Sequence, residues 1–249
     1  MTRTLVLGGT TEASSLARAL ANCGADAVFS YAGRTNAPAA QPLPTRVGGF
    51  GGVQGLVQYL QRDSISHVVD ATHPFAAQMS ANAVEACAQA DVALCAFERP
   101  PWPAQQGDVW QKVPDLHAAV EALPQTPERV FLAIGKQNLA LFTKASQHHY
   151  LLRLVDTPDA PLPLPNVTAV IARGPFTTAG DRALLSEQKI DVIIAKNAGG
   201  HGAQAKLDAA RELGIPVILV DRPLVPSRMI LGDLGQVMAW LGHSTRLGV

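Results

Sequence analysis

Short apolar runs rich in β-branched residues alternate along the whole chain with alanine-rich stretches of helical periodicity. This alternation is typical of a parallel sheet whose strands are joined by helices, so we predict an α/β fold. The predicted strands are Thr4–Leu7, Ala27–Tyr31, Thr45–Val47, His67–Asp70, Ala93–Ala96, Asp108–Lys112, Arg129–Ala133, Tyr150–Leu154, Val167–Ile171, Asp191–Ala195 and Val217–Val220. The predicted helices are Ala13–Cys23, Val53–Asp63, Phe75–Ala90, Leu116–Leu123, Asn138–Ser146, Thr177–Gln188, Ala203–Leu213 and Leu234–Leu241.

A proline-rich segment, Phe-Glu-Arg-Pro-Pro-Trp-Pro over residues 97–103, separates two sets of these elements. Proline lacks the N–H group that a helix or a central strand requires, so the segment reads as a linker. We predict a first domain over residues 1–98, a linker over 99–107 and a second domain over 108–249. Both domains are predicted to be Rossmann-like parallel sheets, with a ligand cleft between them.

The first predicted strand runs into a glycine–threonine loop, and a helix follows it. The start of a helix presents unpaired backbone N–H groups and a positive dipole, and glycine lets that backbone approach a ligand closely. The pattern departs from G-x-G-x-x-G, because Thr10 and Ala13 replace the second and third glycines. We predict that this loop holds the diphosphate of a dinucleotide through Gly8, Gly9, Thr10, Thr11, Glu12 and Ala13.

The residues after the second predicted strand indicate which dinucleotide is bound. An NAD site places an acidic residue here, about 20 residues beyond the glycine loop. No Asp or Glu occurs between Asp26 and Asp63, whereas Arg34 stands where a ribose 2′-phosphate would need a cation. We therefore predict that the cofactor is NADPH and that Arg34 and Thr35 contact it. The alternative is that Arg34 is a solvated loop residue.

Two further loops of the first half are candidates for cofactor contact. The third predicted strand is followed by Gly48-Gly49-Phe50-Gly51-Gly52, whose backbone could pass close to a ligand or form a structural turn. The fourth is followed by Thr72-His73-Pro74, near the nicotinamide end of the cofactor in a Rossmann domain. We predict cofactor contact for Gly48, Gly49 and this tripeptide. His73 could also orient the substrate or donate a proton, or its ring could cap the next helix.

In the second half, cations follow the predicted strands, and we predict that they bind an anionic substrate. Gly135-Lys136-Gln137 repeats the strand–glycine–helix pattern with a lysine in the loop. Arg153 lies inside an apolar strand, where it requires an anion, either a protein carboxylate or a ligand. Arg173 and Lys196 end two more strands, although single basic residues in loops are usually solvated surface. The predicted substrate-binding residues are Gly135, Lys136, Gln137, Arg153, Arg173, Lys196, Asn197, Gly199 and Gly200.

Composition narrows the class of protein. Twenty basic and twenty acidic residues cancel, so no overall field attracts nucleic acid or an anionic membrane. No apolar run is long enough to span a bilayer and no export signal is evident, so we expect a cytoplasmic protein. The three cysteines lack C-x-x-C spacing and read as reduced core residues. His148-His149 has no partner at ligand spacing, so we predict no metal site.

Taken together, these motifs resemble those of the precorrin-6A reductase family of cobalamin biosynthesis over nearly the whole chain. The residues that carry the resemblance are Leu7-Gly8-Gly9-Thr10-Thr11-Glu12-Ala13, Gly48–Gly52, Asp70–Ala76, Glu98–Trp102, Gly135–Gln137, Ala195–Gly200, Lys206–Arg211 and Asp221–Pro223. The family often has tyrosine where this chain has Phe97, so a hydroxyl group at that position is not essential here.

The resemblance implies a two-domain cytoplasmic enzyme that reduces one double bond of precorrin-6A, giving precorrin-6B. Hydride would come from a reduced nicotinamide, and local cations would hold the substrate carboxylates. No general acid is obligatory, since the proton can come from water, and His73 and Lys136 are the candidate donors among the side chains. Substrate channelling with neighbouring pathway enzymes is also possible for such an enzyme. The alternatives are the cobalt-precorrin-6A reductase of the anaerobic branch, using NADH, and a non-catalytic NADPH-sensing protein. An extended short-chain dehydrogenase is disfavoured, because no tyrosine has a lysine four residues later.

Overall fold

A computed structural model describes residues 2–33, 38–158 and 160–242 of the chain. Arg34 and Thr35, two of the predicted cofactor contacts, lie outside the described residues. The chain divides into two compact units, one made of residues up to 100 together with those from 224 onward, the other of residues 101–223. In the part of the chain that the structure describes, no helix is long and apolar enough to cross a membrane.

The first unit contains a six-stranded sheet in which every pair of neighbouring strands is parallel. Its strands are β1 (Arg3–Leu7), β2 (Asp26–Tyr31), β3 (Thr45–Val47), β4 (His67–Asp70), β5 (Ala93–Phe97) and β12 (Met229–Leu231). The order β3-β2-β1-β4-β5-β12 is that of a Rossmann sheet, with β12 in the sixth place. The chain therefore changes direction across the sheet between β1 and β4, and this switch point is where such sheets bind ligands.

Helices of the first unit cover the sheet with apolar faces. Leu16 and Leu20 of the first helix pack against Phe29 of β2, and Leu56 and Leu60 of the second pack beneath β1 and β4. The spacing of four residues places each leucine pair on one side of its helix. The helices are α1 (Thr11–Asn22), α2 (Gly52–Arg62), α3 (Ala77–Ala90) and α7 (Leu234–Trp240).

The C-terminal segment corrects the predicted domain boundary. Residues 108–249 were predicted to form the second domain, but β12 pairs with β5, with Ile230 beside Ala96, and α7 packs on the first core. The described residues from 224 onward therefore belong to the first unit. The sequence prediction missed β12 because three apolar residues after a proline-rich stretch carry too little periodicity to be recognised.

The second unit also contains a six-stranded parallel sheet. Its strands are β6 (Trp110–Val113), β7 (Arg129–Ala133), β8 (His149–Leu154), β9 (Val167–Ile171), β10 (Val192–Lys196) and β11 (Val217–Val220). They lie in the order β6-β11-β10-β7-β8-β9, so the last five repeat the order of a Rossmann sheet and β6 is added at the edge. The prediction of two Rossmann-like parallel sheets is confirmed.

Three predicted helices of the second unit are α-helices whose ends lie within two residues of the prediction, whereas a fourth differs in type. Residues predicted as a helix over Asn138–Ser146 form a 3-10 helix over Leu139–Ala145, preceded by Asn138 in the left-handed conformation. A second 3-10 turn, His201–Ala203, overlaps the first residue of the helix predicted over Ala203–Leu213, which begins at Ala205. The α-helices are α4 (Leu116–Glu121), α5 (Thr178–Glu187) and α6 (Ala205–Leu213).

The cysteines differ in burial. Cys87 and Cys95 are buried in the first unit, and burial raises the pKa of each thiol to about 12, so both are unreactive. Cys23 is exposed at the C-terminal end of α1, which corrects the prediction that all three are core residues. The described residues contain no cluster of three His, Cys, Asp or Glu side chains that could hold a metal ion.

Candidate functional site

The glycine loop lies at the switch point of the first sheet, and Thr10 fastens it there. The Thr10 hydroxyl donates to the Ala71 carbonyl oxygen at 2.8 Å and accepts the Ala13 N–H at 3.1 Å, which caps α1. The Ala71 N–H in turn donates to the Leu7 carbonyl oxygen at 2.9 Å. The threonine in place of the second glycine therefore joins the ends of β1 and β4 and fixes the start of the helix.

Gly8 and Gly9 are required for different reasons. A Cβ atom at Gly8 would lie 2.0 Å from the ring of Phe29, so the close approach of the loop to the core excludes any side chain. Gly9 has a φ of +132°, which side-chain-bearing residues rarely adopt, and a Cβ there would meet nothing within 4 Å. One side of the loop is therefore packed on protein, and the other is open.

The first turn of α1 retains donors that the protein does not use. Within the described residues, the backbone N–H groups of Thr11 and Glu12 make no hydrogen bond, whereas Thr10 occupies those of Ala13 and Ser14. Two donors at the positive end of the helix dipole are thus left unpaired within the described residues.

Glu12 would repel an anion at this position, but its charge is neutralised. Its carboxylate lies 2.6 Å from the Arg99 guanidinium, and both side chains are largely buried. The Thr11 hydroxyl also donates to the same carboxylate at 3.0 Å. Glu12 therefore anchors Arg99 beside the loop and does not leave a free negative charge at the helix start.

A buried charge network lies at the end of β4. Asp70 is 3% exposed, and one of its carboxylate oxygens accepts the Thr72 hydroxyl at 2.7 Å and the Thr72 N–H at 3.2 Å. The other oxygen lies 3.9 Å from Nε of Arg228, whose terminal nitrogen donates to Glu98 at 2.7 Å. Thr72 is thus positioned by Asp70, and Arg228 balances the charge of the buried carboxylate. None of these three residues was a predicted site residue, although Asp70 and Glu98 begin two of the motifs that carry the family resemblance.

His73 and Pro74 complete the loop that follows β4. His73 is exposed, and its Nδ1 accepts the N–H of Phe75 at 3.2 Å, so the ring proton lies on Nε2 in the neutral form. The ring caps a turn that precedes α3, and the helix itself begins at Ala77 without a side-chain cap. His73 is therefore held in one orientation at the switch-point edge of the sheet.

β3 itself contains a cation, Arg46, that was not among the predicted site residues. Arg46 donates to the Ser30 hydroxyl at 2.7 Å and to the Gly49 carbonyl oxygen at 3.1 Å. Its guanidinium carbon lies 3.9 Å from the centre of the Phe50 ring, and burial lowers its pKa below the ordinary value. The sequence signal was available, since Arg46 lies near the end of a predicted strand, two residues before the glycine run.

The corresponding loop of the second unit has a different construction. After β7, Gly135 has a φ of +78° and Asn138 a φ of +67°, and the chain then enters a 3-10 helix. No α-helix begins here, so the predicted repeat of the strand–glycine–helix pattern is wrong in its last element. Lys136 and Gln137 are exposed at this loop. In place of a helix start, this loop presents the cationic side chain of Lys136.

Arg153 is held by a protein carboxylate. Its guanidinium forms an ion pair with Asp181 at the first turn of α5, and both side chains are almost fully buried. The same guanidinium lies 4.0 Å from the centre of the Phe176 ring and 5.2 Å from that of Phe131. Of the two alternatives raised by the sequence, the structure contains the protein ion pair.

The other predicted substrate residues divide into exposed and structural ones. Arg173 is exposed after β9 and lies 3.5 Å from Asp156, whereas Lys196 ends β10 and is half-buried. The Asn197 side chain accepts the Trp102 N–H at 2.8 Å, and Gly200 accepts the Trp102 indole N–H at 2.8 Å. Asn197 and Gly200 therefore position Trp102, and Gly199 has a left-handed φ of +69° within the same turn.

A pocket of about 430 Å³ opens at the ends of β6, β10 and β11 in the second unit. Its charged lining comes from Lys112, Asp221 and Arg222, and Trp102 supplies an aromatic wall. Arg222 donates to the carbonyl oxygens of Asn197 and Ala198, which holds the segment after β10 in place at the pocket. The pocket and Lys196 lie at the carboxyl edge of the sheet, where parallel α/β sheets bind ligands.

Known proteins resemble this chain over almost its full length. The family model described as "Precorrin-6x reductase CbiJ/CobK" matches residues 3–242. A precorrin-6A reductase of Rhodobacter capsulatus is 71% identical over 241 residues, 97% of this chain and 96% of that protein. One from Rhodococcus erythropolis is 44% identical over 248 residues, 99% of this chain and 100% of that protein.

The fold agrees as well. A solved structure of a CobK precorrin-6A reductase is 69% identical, covers 99% of both chains and gives a TM-score of 0.95. The family match covers nearly all residues, and these relatives are similar to the chain over almost the full length of both proteins. This chain belongs to the precorrin-6x reductase CbiJ/CobK family of oxidoreductases of cobalamin biosynthesis.

Proposed function

We propose that this protein reduces one double bond of precorrin-6A with NADPH, giving precorrin-6B in the aerobic cobalamin pathway. The observation that carries the proposal is the open glycine loop at the switch point of the first sheet. Its Thr11 and Glu12 N–H groups make no hydrogen bond to the described residues. This arrangement suits a diphosphate, because backbone donors and the helix dipole act on the same anion.

The residues of the first unit fit a dinucleotide. The open side of Gly9 leaves room for a diphosphate, and the Arg99 charge offsets that of Glu12. Thr72, fixed by Asp70, and His73 lie at the end of β4, beside the loop that Thr10 ties to Ala71. We assign the diphosphate to the glycine loop and the nicotinamide to the loop after β4. When bound, the reduced nicotinamide supplies the hydride.

The second unit supplies charge for a polycarboxylate. Lys136, Lys196 and Arg173 follow β7, β10 and β9 of one sheet, whose order places β9 three strands from β10. With a strand spacing of about 4.8 Å, these strand ends spread over roughly 14 Å. Cations spaced along one edge suit a rigid macrocycle with carboxylates around its rim, and each would contribute a charge-assisted hydrogen bond.

Reduction also requires a proton on the neighbouring atom. The acceptor is an electron-poor conjugated system, so transfer of hydride does not depend on a general acid, and water is a sufficient source of the proton. His73, whose neutral ring carries its proton on Nε2, and Lys136 are the side chains we propose for this step when the protein supplies it. The remaining contribution of the protein is orientation of the two reactants.

The proposal is tested by titrating the purified protein with NADPH and with NADH and then adding precorrin-6A. We expect tighter binding of NADPH and a loss of reduced-nicotinamide absorbance only when precorrin-6A is present. Reaction of cobalt-precorrin-6A with NADH alone would place the enzyme in the anaerobic branch. Binding of NADPH without turnover of either substrate would identify a non-catalytic sensor and contradict the proposal.

Arg34 provides a test of cofactor choice. Replacing Arg34 by Ala should weaken NADPH by about 1.5–3 kcal/mol, the range for a hydrogen bond to a charged group, and leave NADH nearly unaffected. Dissociation constants from fluorescence titration of both cofactors measure the effect. An equal loss for both would show that Arg34 does not contact the 2′-phosphate.

A further inference from the structure

Arg46 differs from most of the described arginines of the first unit in the partners that surround it. Its two hydrogen bonds go to neutral acceptors, the Ser30 hydroxyl and the Gly49 carbonyl. In the described ranges no carboxylate lies within 4.0 Å of its guanidinium. The arginines of this unit that do lie within 4.0 Å of a carboxylate are Arg3, Arg62, Arg99 and Arg228.

The guanidinium is also fixed in direction. It stacks 3.9 Å from the centre of the Phe50 ring, and the Tyr59 ring lies edge-on to Phe50 at 5.1 Å. The hydrogen bonds hold two of its nitrogens, and Ser30 is itself buried. A planar fork held on an aromatic ring is prepared for an anion at little further entropic cost.

Its place in the sheet suits the ribose end of a dinucleotide. Arg46 pairs in register with Ser30 at the ends of β3 and β2, and β2 lies beside β1 and its glycine loop. At a strand spacing of about 4.8 Å, the end of β3 is roughly 10 Å from that loop. The end of β2 is where Rossmann sheets recognise the ribose 2′ position, with an acid for NAD or a nearby arginine for NADP.

The backbone beside Arg46 leaves space for such a group. Gly48 has a φ of +121°, and Cβ atoms placed at Gly48 or Gly49 would meet nothing within 4 Å. A half-buried cation whose hydrogen bonds go to neutral acceptors carries a desolvation cost that an anionic ligand would offset. Open backbone on one side and a fixed cation on the other form a site for a phosphate monoester.

We propose that Arg46, stacked on Phe50 and oriented by Ser30, binds the 2′-phosphate of the cofactor and determines the preference for NADPH. This inference rests on the proposed dinucleotide site and assigns its phosphate specificity to a residue of β3. Arg46 thereby acts as a specificity residue whether or not Arg34 contributes a second cation.

The test uses the full-length protein and measures binding of NADPH, NADH and free 2′,5′-ADP by calorimetry. Replacing Arg46 by Ala should weaken NADPH and 2′,5′-ADP about 10- to 150-fold, the equivalent of about 1.5–3 kcal/mol, and change NADH less than about 2-fold. Arg46→Lys keeps the charge but loses the planar fork, so we expect an intermediate loss. Because 2′,5′-ADP lacks nicotinamide, this measurement does not depend on turnover.

Arg62 is the matched control. It lies 5.2 Å from the same Tyr59 ring but is paired with Asp63 at 2.6 Å, so Arg62→Ala should leave all three affinities unchanged. Equal losses of NADPH and NADH in Arg46→Ala, or no loss of either, would overturn the inference. The failure of wild-type protein to bind any nicotinamide dinucleotide would instead overturn the proposed function. If Arg46→Ala does not fold, unchanged NADPH and 2′,5′-ADP affinities in Arg46→Lys would reject the proposal.

Discussion

The switch point of the first unit presents backbone N–H groups, whereas that of the second presents cationic side chains. Both sheets contain strands in the same Rossmann order, so the difference lies in the loops. After β1, Gly9 leads into an α-helix whose first turn keeps two unused donors. After β7, a left-handed Asn138 leads into a 3-10 helix, and Lys136 is exposed instead.

Under the proposed assignments, one topology serves two kinds of anion. Backbone donors at a helix start converge on one point, which suits a compact diphosphate. Lysine and arginine side chains at successive strand ends are spread along an edge, which suits carboxylates separated by a rigid ring. We infer that a shared strand order fixes where a ligand binds and that the local loop determines what is bound.

A second parallel between the units concerns buried charge. The first unit holds Asp70 beside Arg228, and the second holds Asp181 beside Arg153, with all four side chains no more than 10% exposed. Asp70 ends a strand at the proposed cofactor site, whereas Asp181 lies in the first turn of α5. Only the first pair is therefore expected to affect a ligand.

The largest expected effect comes from breaking these pairs. Arg228→Leu and Arg153→Leu each leave a buried carboxylate uncompensated, so each should lower the free energy of unfolding by about 3–5 kcal/mol. Urea denaturation measures the loss. Arg228→Leu should also weaken NADPH, because Asp70 positions Thr72, whereas Arg153→Leu should not.

The control for this experiment also removes the carboxylate that has lost its arginine partner. Adding Asp70→Asn to Arg228→Leu should restore part of the lost stability, as should Asp181→Asn added to Arg153→Leu. A loss below about 1 kcal/mol in either single variant would contradict the assignment. A raised Michaelis constant for precorrin-6A with unchanged stability in Arg153→Leu would show that Arg153 binds substrate.

A smaller effect is expected from the glycines of the two loops. Gly9→Ala forces a side chain to a φ of +132°, which should cost about 1–3 kcal/mol of stability and weaken NADPH at least tenfold. Gly135→Ala, at a φ of +78°, should cost about 1–2 kcal/mol and leave NADPH affinity unchanged. Thermal unfolding and NADPH titration of both variants provide the measurements. Equal losses of NADPH affinity would contradict the proposal that only the loop after β1 binds the cofactor.

The smallest effect is expected from the lysines of the second unit. An exposed ion pair contributes up to about 1 kcal/mol, so Lys136→Ala should raise the apparent Michaelis constant for precorrin-6A up to roughly fivefold. Lys196→Ala, at a half-buried position, should raise it further. Cofactor affinity should remain unchanged in both.

Lys144, an exposed lysine of the 3-10 helix that follows, is the matched control for these variants. Its replacement by Ala removes the same charge from a position away from the strand end, so substrate kinetics should not change. Wild-type kinetics in Lys136→Ala and Lys196→Ala would show that these lysines are solvated surface residues.

The sequence by itself determined the order of the α-helices and of every strand except β12, because apolar periodicity is a local property that survives without tertiary contacts. It also located the glycine loop, since a strand, two glycines and a helix are contiguous. Thr10 and Ala13 replace two glycines of the usual pattern, and a helix still begins directly after the loop, at Thr11. The family resemblance followed from the order and spacing of such local motifs.

Only the tertiary structure decided which distant residues meet. β12 joins the first sheet through pairing with β5, and Arg228 reaches Asp70 from that returning segment. Arg153 meets Asp181, and Arg46 meets Ser30 across neighbouring strands. A charged residue inside an apolar run of sequence indicates that it has a partner of opposite charge. The identity of that partner depends on how elements far apart in the chain pack together.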